Sequence, residues 1–168
     1  MARAAQARPA PRQRAPRFAQ RARDWLVRFW DTSALVPLFV AESQSRAAAG
    51  FLRDDPDVVV WTLTRVELLS AFARRRRSEA TAARQLRVAR RQLLATWERW
   101  SEVTAVDLVR RRAERIVETH PLRAADALQI GAAVVAAEDD PGSLPFVTFD
   151  EAQAAAAERE GFHVIGPD

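Results

Sequence analysis

The sequence predicts an α/β protein in which helices cover both faces of a parallel β-sheet. Short runs of β-branched and aromatic residues, such as Val58–Trp61, alternate along the chain with longer segments of helical periodicity. This alternation is typical of parallel sheets, because the crossover between two parallel strands usually contains a helix. Two predicted strands end in an acidic residue followed by a helix, and ligands of open α/β sheets gather at the carboxyl ends of strands.

The charge of the chain divides it into a basic leader and a mildly acidic body. Residues 1–28 contain eight arginines and one acid, whereas residues 29–168 contain 18 arginines and 21 acids. The leader is rich in proline and lacks apolar periodicity, so we expect residues 1–26 to be disordered and 27–168 to form one domain. The leader is either an RNA-binding tail or the product of a start codon placed upstream of one at Val27.

Composition excludes several kinds of site. The absence of cysteine excludes disulfides and thiolate metal sites, and two histidines are too few for an ordinary histidine zinc site. A metal in this chain would therefore be held by oxygen, which favours magnesium or manganese. No apolar stretch is long enough to span a membrane, and the composition fits a cytoplasmic protein. All 26 basic residues are arginine, which either serves phosphate binding or reflects genomic base composition.

The chain between the leader and Trp61 predicts two strands with two helices between them. Leu26–Trp30 is apolar and short, as expected of a buried strand. Asp31 begins an Asp-Thr-Ser sequence that would cap a short helix over Ala34–Phe39. A second helix is predicted over Ser43–Leu52, followed by an Asp- and Pro-containing turn. Val58–Trp61 is then the clearest strand, because it consists of β-branched and aromatic residues.

The middle of the chain predicts two helices and a strand. Thr62 or Thr64 would cap a helix that ends near Arg77. Glu79–Trp100 is predicted to be a long helix, because its leucines and a tryptophan recur at helical spacing. A brief strand over 102–106 follows it.

The last third predicts two helix–strand units. A helix is expected over 107–120, before a proline, and a mostly apolar central helix over Arg123–Ala137. Phe146–Phe149 is predicted to be a strand, Glu151–Glu160 a helix and Phe162–Ile165 the final strand.

Four acidic residues lie within or at the end of apolar segments, where an unpaired carboxylate is costly. Asp31 and Asp150 are each explained by helix capping. Glu67 has apolar residues four positions before and after it, so a solvated helix face explains it poorly. Asp126 lies in the least polar helix, where its simplest structural partner is Arg123.

A shared cation site explains all four acids together. Clustered carboxylates repel one another and stay ionised when a cation is bound. Thr148 lies two residues before Asp150 and therefore on the same side of the strand, where its hydroxyl would bond a carboxylate or a water. The sequence thus predicts a magnesium site, with manganese as the alternative, built from Asp31, Glu67, Asp126 and Asp150.

The residues around these acids resemble PIN-domain ribonucleases, and among them the VapC toxins of bacterial toxin–antitoxin pairs. The four motifs are Phe-Trp-Asp-Thr-Ser-Ala-Leu-Val at Asp31, Thr-Arg-Val-Glu-Leu-Leu-Ser-Ala at Glu67, Leu-Arg-Ala-Ala-Asp-Ala-Leu-Gln-Ile at Asp126 and Phe-Val-Thr-Phe-Asp-Glu at Asp150. The resemblance implies a three-layer α/β/α sandwich with a central parallel sheet. It also implies that these acids bind one or two magnesium or manganese ions, with Thr148 beside the more variable position of Asp150.

The implied function is metal-dependent endoribonuclease activity, with the chain as the toxin of a toxin–antitoxin pair. The implied partners are an RNA substrate, a VapB-like antitoxin whose peptide lies across the acidic groove, and a second copy in a homodimer. Two other hypotheses remain at this stage. One is a housekeeping PIN nuclease of RNA processing, and the other is a non-catalytic RNA-binding or scaffold protein whose acids cap helices and form ion pairs.

Overall fold

The computed structural model describes residues 27–78 and 82–166, so the predicted leader lies outside the described residues. Five strands form one parallel sheet. The strands are β1 (Arg28–Trp30), β2 (Val58–Trp61), β3 (Ser101–Val103), β4 (Phe146–Val147) and β5 (Val164–Ile165). Their order across the sheet is β3-β2-β1-β4-β5. The predicted parallel sheet is therefore confirmed.

Seven α-helices connect the strands. They are α1 (Thr32–Phe39), α2 (Ser45–Asp54), α3 (Thr64–Ser78), α4 (Ala83–Trp97), α5 (Val106–Thr119), α6 (Ala124–Ala136) and α7 (Glu151–Arg159). A 3₁₀ turn spans Pro141–Ser143. None of the helices in the described part of the chain combines the length and the apolar character that a membrane span requires.

The central strand β1 supplies both apolar layers. Phe29 lies in one core with Val59 and Phe146, against α5, α6 and α7. Trp30, the next residue, points to the opposite face and packs with helices α1 to α4. Because successive side chains of a strand alternate between faces, three residues of β1 are enough to anchor helices on both sides of the sheet. The predicted three-layer α/β/α sandwich is confirmed.

Two predicted boundaries shift for reasons of pairing. β3 spans Ser101–Val103 rather than 102–106, because it pairs residue by residue with β2 from Val59 to Trp61. β4 ends at Val147 rather than Phe149, because the Phe149 N–H bonds to the Ser33 hydroxyl, 2.8 Å away, instead of to a neighbouring strand.

Gly131 is the point of closest approach between α5 and α6. A Cβ at this position would lie 3.0 Å from the Val109 carbonyl oxygen and 3.1 Å from the Ala113 nitrogen, both backbone atoms.

Gly131→Ala is therefore expected to lower the free energy of unfolding by about 1–3 kcal/mol through overpacking. Gly50→Ala in α2 is the matched control, because only the flexible Arg53 side chain is near it. The control should gain about 0.5–1 kcal/mol in denaturant unfolding. Equal stabilisation of both variants would contradict this prediction, because it would mean that α5 moves to make room for the added methyl group.

Glu160 follows α7 and joins it to the end of α5. Its carboxylate accepts two hydrogen bonds from Arg115 and one from the His120 ring, whose Nε2 lies 2.8 Å away. The Arg115 bonds, followed by that of His120, lower the pKa of Glu160 against the opposing effect of burial. A lowered folded-state pKa means stability that is present above the unfolded value and lost as pH falls through the folded value.

We therefore expect Glu160→Gln to be less stable than the wild type by about 1 kcal/mol at neutral pH. The difference should shrink from about pH 5 downward, as the wild-type carboxyl takes up its proton. Urea unfolding across this pH range measures it. Glu158→Gln, an exposed change in α7 two residues before Glu160, should show no such dependence. A deficit of Glu160→Gln that stays constant to pH 3 would contradict the assigned charge effect.

Candidate active site

The sheet order creates a crevice between β1 and β4. The chain leaves β1 towards β2 on one side, and the later strands β4 and β5 add on the other side. In open α/β sheets, such a reversal of strand order opens a ligand-binding crevice at the carboxyl ends of the strands. Asp31 follows β1 directly, and Thr148 and Asp150 follow β4, so three of the five predicted site residues flank this crevice.

Asp31 is buried at the end of β1 and caps α1. One carboxylate oxygen accepts hydrogen bonds from the backbone N–H of Ser33 at 3.1 Å, from the Ser33 hydroxyl and from the Thr148 hydroxyl at 2.9 Å. The other oxygen accepts from Gln153 Nε2 at 3.2 Å. The capping interpretation is thus confirmed, but a cap alone needs none of the three side-chain donors.

Glu67 lies in the first turn of α3 and points toward α1 and α6. Its Oε2 atom accepts a hydrogen bond from the Thr32 hydroxyl and another from Gln129 Nε2, at 2.7 Å. The buried amide of Gln129 also lies within hydrogen-bonding distance of the Thr32 and Thr64 hydroxyls. A single glutamine therefore ties together three helices around the Glu67 carboxylate.

Asp126 occupies the third position of α6, whose N-cap is Arg123. The backbone N–H and the charge of Arg123 both act to lower the pKa of Asp126. Among the described residues, however, no basic side chain forms an ion pair with this carboxylate. Gln153 Nε2 lies 3.4 Å from Asp126 Oδ1, so one amide group stands between the carboxylates of Asp126 and Asp31.

Asp150 caps α7 by accepting a hydrogen bond from the Gln153 backbone N–H at 2.8 Å. Its own backbone N–H donates to the Thr148 hydroxyl at 3.0 Å. Thr148 therefore connects Asp150 to Asp31, which accepts the hydrogen of that hydroxyl. The Thr148 hydroxyl thus bonds a carboxylate, but Thr148 lies beyond the end of β4, so the strand alternation used to predict its side does not apply.

Burial raises the pKa of three of the four acids, and repulsion by other carboxylates raises the pKa of two of these further. Burial is the main cause that raises the pKa of Asp31, of Glu67 and of Asp126. The charges of Asp31 and Asp126 raise the pKa of Glu67 further. The charge of Asp150 likewise raises the pKa of Asp126. The four carboxylates thus repel one another at one end of the sheet.

The carboxylates are near one another but do not form a ready-made ion cage. Within residues 27–78 and 82–166, no three His, Cys, Asp or Glu side chains are grouped closely enough to hold a metal ion. Hydroxyl and amide groups instead occupy the oxygens of Asp31 and Glu67. The donor set fits a hard cation nonetheless, since it consists of oxygen atoms, carries surplus negative charge and has no ion-pair partner in the described chain. That these acids bind a metal stays a prediction.

Sequence reasoning missed the polar residues that hold the acids. Ser33 and Thr32 were noticed only as part of a cap, and Gln129 and Gln153 were not noticed at all. Each glutamine had a signal in the sequence, since each lies three residues after one of the acids. Gln153 forms the end of an Asp-x-x-Gln capping pattern, and Gln129 is a polar residue within an otherwise apolar helix.

Comparison with known families matches residues 28–159 to the PIN domain. The chain belongs to the PIN-domain family. No curated protein matches the chain. PIN domains are generally nucleases, so this chain has a nuclease-like fold. The match covers β1 to α7 and therefore all four acids.

Proposed function

We propose that this PIN domain is a divalent-metal-dependent endoribonuclease and acts as the toxin of a toxin–antitoxin pair. The observation that carries the proposal is the convergence of four acids at the crevice of a nuclease fold without any neutralising ion pair in the described chain. Proteins seldom keep such charges together unless a cation or a reaction requires them.

Asp31, Glu67, Asp126 and Asp150 would hold magnesium or, in its place, manganese. When bound, the ion supplies positive charge for the oxygens of a scissile phosphodiester and acidifies a water for attack. The other side chains of the site hold the carboxylates in place. Thr148 and Gln153 fix Asp31, while Gln129 fixes Glu67, so neither carboxylate can rotate freely away from the crevice.

No side chain needs to act as a conventional amine or imidazole base. The chain contains no lysine, and the His120 ring is bonded to Glu160 instead of to a site residue. The four carboxylates and the Thr148 hydroxyl are therefore the groups we assign to catalysis.

The nuclease proposal is tested with purified protein and labelled single-stranded RNA. We expect internal cleavage products with magnesium or manganese and none when a chelator replaces the metal. Absence of products from every RNA tested, with folded protein and either metal, would refute it. The toxin role is tested separately by brief induction in cells, with mapping of RNA ends. Arrested growth, new RNA ends and relief by the product of a small neighbouring gene are expected.

The toxin role also implies partners. By its resemblance to VapC proteins, the chain would act on cytoplasmic RNA, form a homodimer and be silenced by a VapB-like antitoxin. An antitoxin peptide with a basic side chain would suit the crevice, because it would neutralise the repelling carboxylates. Co-purification of the two proteins after joint expression, with loss of nuclease activity, is the expected result.

A non-catalytic role is the second candidate, and one observation favours it. Asp31 and Asp150 both cap helices, and Asp126 lies in the first turn of a helix, where an acid is favourable. These roles explain part of the acidity without a metal. Glu67 also lies in the first turn of a helix, but that position does not explain why its partly buried carboxylate lies close enough to Asp31 and Asp126 for their charges to raise its pKa.

A further inference from the structure

The arginines of the successive helices α4 and α5 differ in how they are neutralised. On α5, three arginines form ion pairs with acids: Arg110 with Glu114, Arg112 with Asp139 and Arg115 with Glu160. On α4, four arginines are exposed and no acid occurs between Ala83 and Trp97. Within the described residues none of those four has an acidic partner. Genomic preference for arginine cannot explain this contrast, because it acts on both helices alike.

The unpaired arginines of α4 form one face. Positions 84, 87, 90 and 91 fall within about a third of the helix circumference. Together they line a shallow groove of about 440 Å³. Arg87 and Arg90 also line a second groove, of about 220 Å³, with Arg76 of α3. We call this surface the arginine face; its members are Arg76, Arg84, Arg87, Arg90 and Arg91.

Apolar side chains lie between these arginines. Leu69, Phe72 and Leu86 line the second groove, and Val88, which is partly exposed, lies in the first. Phe72 and Leu86 are buried, so Leu69 and Val88 supply the exposed apolar surface beside the arginine heads. Such a surface suits a nucleic-acid strand, which presents phosphates and base faces in turn.

The arginine face belongs to a helix that packs along α3. At its beginning, Leu86 and Arg87 of α4 share a groove with Arg76, near the end of α3. At its end, the Trp97 ring lies under Arg65, 6.0 Å from the guanidinium carbon. Arg65 lies in the first turn of α3, so the end of α4 packs against the beginning of α3. Arg84 to Arg91 spans about 10 Å, the length of about three phosphates in a stacked strand.

The positive charge of the arginine face limits which molecules can bind it. The leader cannot neutralise the arginine face, because residues 1–28 carry eight arginines and one acid. A second copy docked through the same face would bring like charges together. An acidic protein also satisfies the charge, but the proposed nuclease function favours RNA as the occupant.

We propose that the arginine face binds the phosphate backbone of single-stranded RNA at a distance from the cleaved bond. The inference rests on the proposed nuclease function and extends it to a substrate longer than the crevice. The protein would therefore prefer long RNA because it binds long RNA more tightly. The rate of the chemical step would be the same for long and short RNA.

The test compares two variants that lose the same charge. Arg87→Gln/Arg90→Gln removes two members of the arginine face, and Arg110→Gln/Arg111→Gln removes two exposed arginines of α5. Glutamine keeps the helix propensity of arginine. Binding of a labelled oligouridylate of roughly 16 nucleotides is measured in chelator, between about 50 and 200 mM salt. Arg84→Gln/Arg91→Gln is the second variant should the first fail to fold.

We expect the α4 variant to reduce the slope of log affinity against log salt by about 1.4, the value for two lost contacts to a single strand. With metal, the same variant should raise KM for the long RNA and leave kcat unchanged, while cleavage of an oligonucleotide of roughly 4 residues stays at the wild-type rate. The α5 variant should retain the wild-type slope and KM.

Equal slopes for the α4 and α5 variants would overturn the inference, even if the wild type cleaves RNA. Competition by polyglutamate that matches competition by unlabelled RNA would overturn it as well, since the surface would then suit acidic proteins. Conversely, an altered slope in the α4 variant supports the inference even if no RNA is cleaved. In that case only the proposed nuclease function fails, because the binding arm excludes metal and needs no catalysis.

Discussion

Asp126→Asn is expected to abolish RNA cleavage while leaving the fold intact. Asparagine keeps the size and one carbonyl oxygen of the side chain, so Gln153 Nε2 can still donate to it. What it removes is the negative charge that we assign to metal binding. Residues that merely orient a metal ligand usually cost about 10–100-fold in affinity or activity, so removing a ligand charge should cost more than this.

The same substitution should not lower stability in metal-free buffer. Burial and the charge of Asp150 raise the pKa of Asp126, which means that the ionised carboxyl opposes folding at neutral pH. A neutral side chain removes that opposition, so the Tm of the variant should equal or exceed that of the wild type. Cleavage assays and thermal unfolding on the same preparation measure both effects.

Asp107→Asn is the matched control for this prediction. Asp107 is also an acid in the first turn of a helix, but it lies on α5 and is exposed. Its loss should leave cleavage unchanged. Asp31→Asn should behave like Asp126→Asn, because asparagine caps helices as well as aspartate does. Full ribonuclease activity in well-folded Asp126→Asn protein would refute the assigned role.

Magnesium is expected to raise the thermal stability of the wild-type protein. A ligand that binds only the folded state at a hundred times its Kd adds about 2.7 kcal/mol. For a domain of this size, the corresponding rise in Tm is about 5–10 °C. The physical source is neutralisation of carboxylates that repel one another in the absence of a cation.

The rise in Tm caused by magnesium should disappear in Glu67→Gln and Asp126→Asn and persist in Asp107→Asn. Sodium chloride at matched ionic strength separates specific binding from screening. The result also decides between the two candidate functions, because helix caps and ion pairs predict no magnesium-specific shift. A wild-type Tm that is equal in magnesium and in matched sodium chloride would favour the non-catalytic role.

The fold was predictable from the sequence because its signals are local. The run Val58–Trp61 forms a strand in any setting that buries both its faces, and it is found as β2 with the predicted bounds. Asp31 and Asp150 follow strands and precede helices, so their capping roles and their place at one sheet edge follow from chain order. The shift of β3 was not predictable, because its limits depend on pairing with a strand some 40 residues earlier in the chain.

The candidate site, like the fold, was predictable from the sequence only in part. The sequence by itself determined which carboxylates stand out, since an acid among apolar residues is visible within a few positions of the chain. Only the tertiary structure decided what holds them. Gln153 meets Asp31 across 122 residues of sequence, and Gln129 meets Thr32 across 97. Tertiary packing likewise pairs Arg112 and Arg115 of α5 with Asp139 and Glu160, whereas within the described residues the four arginines of α4 have no acidic partner, because an ion pair depends on distance in space and not on composition.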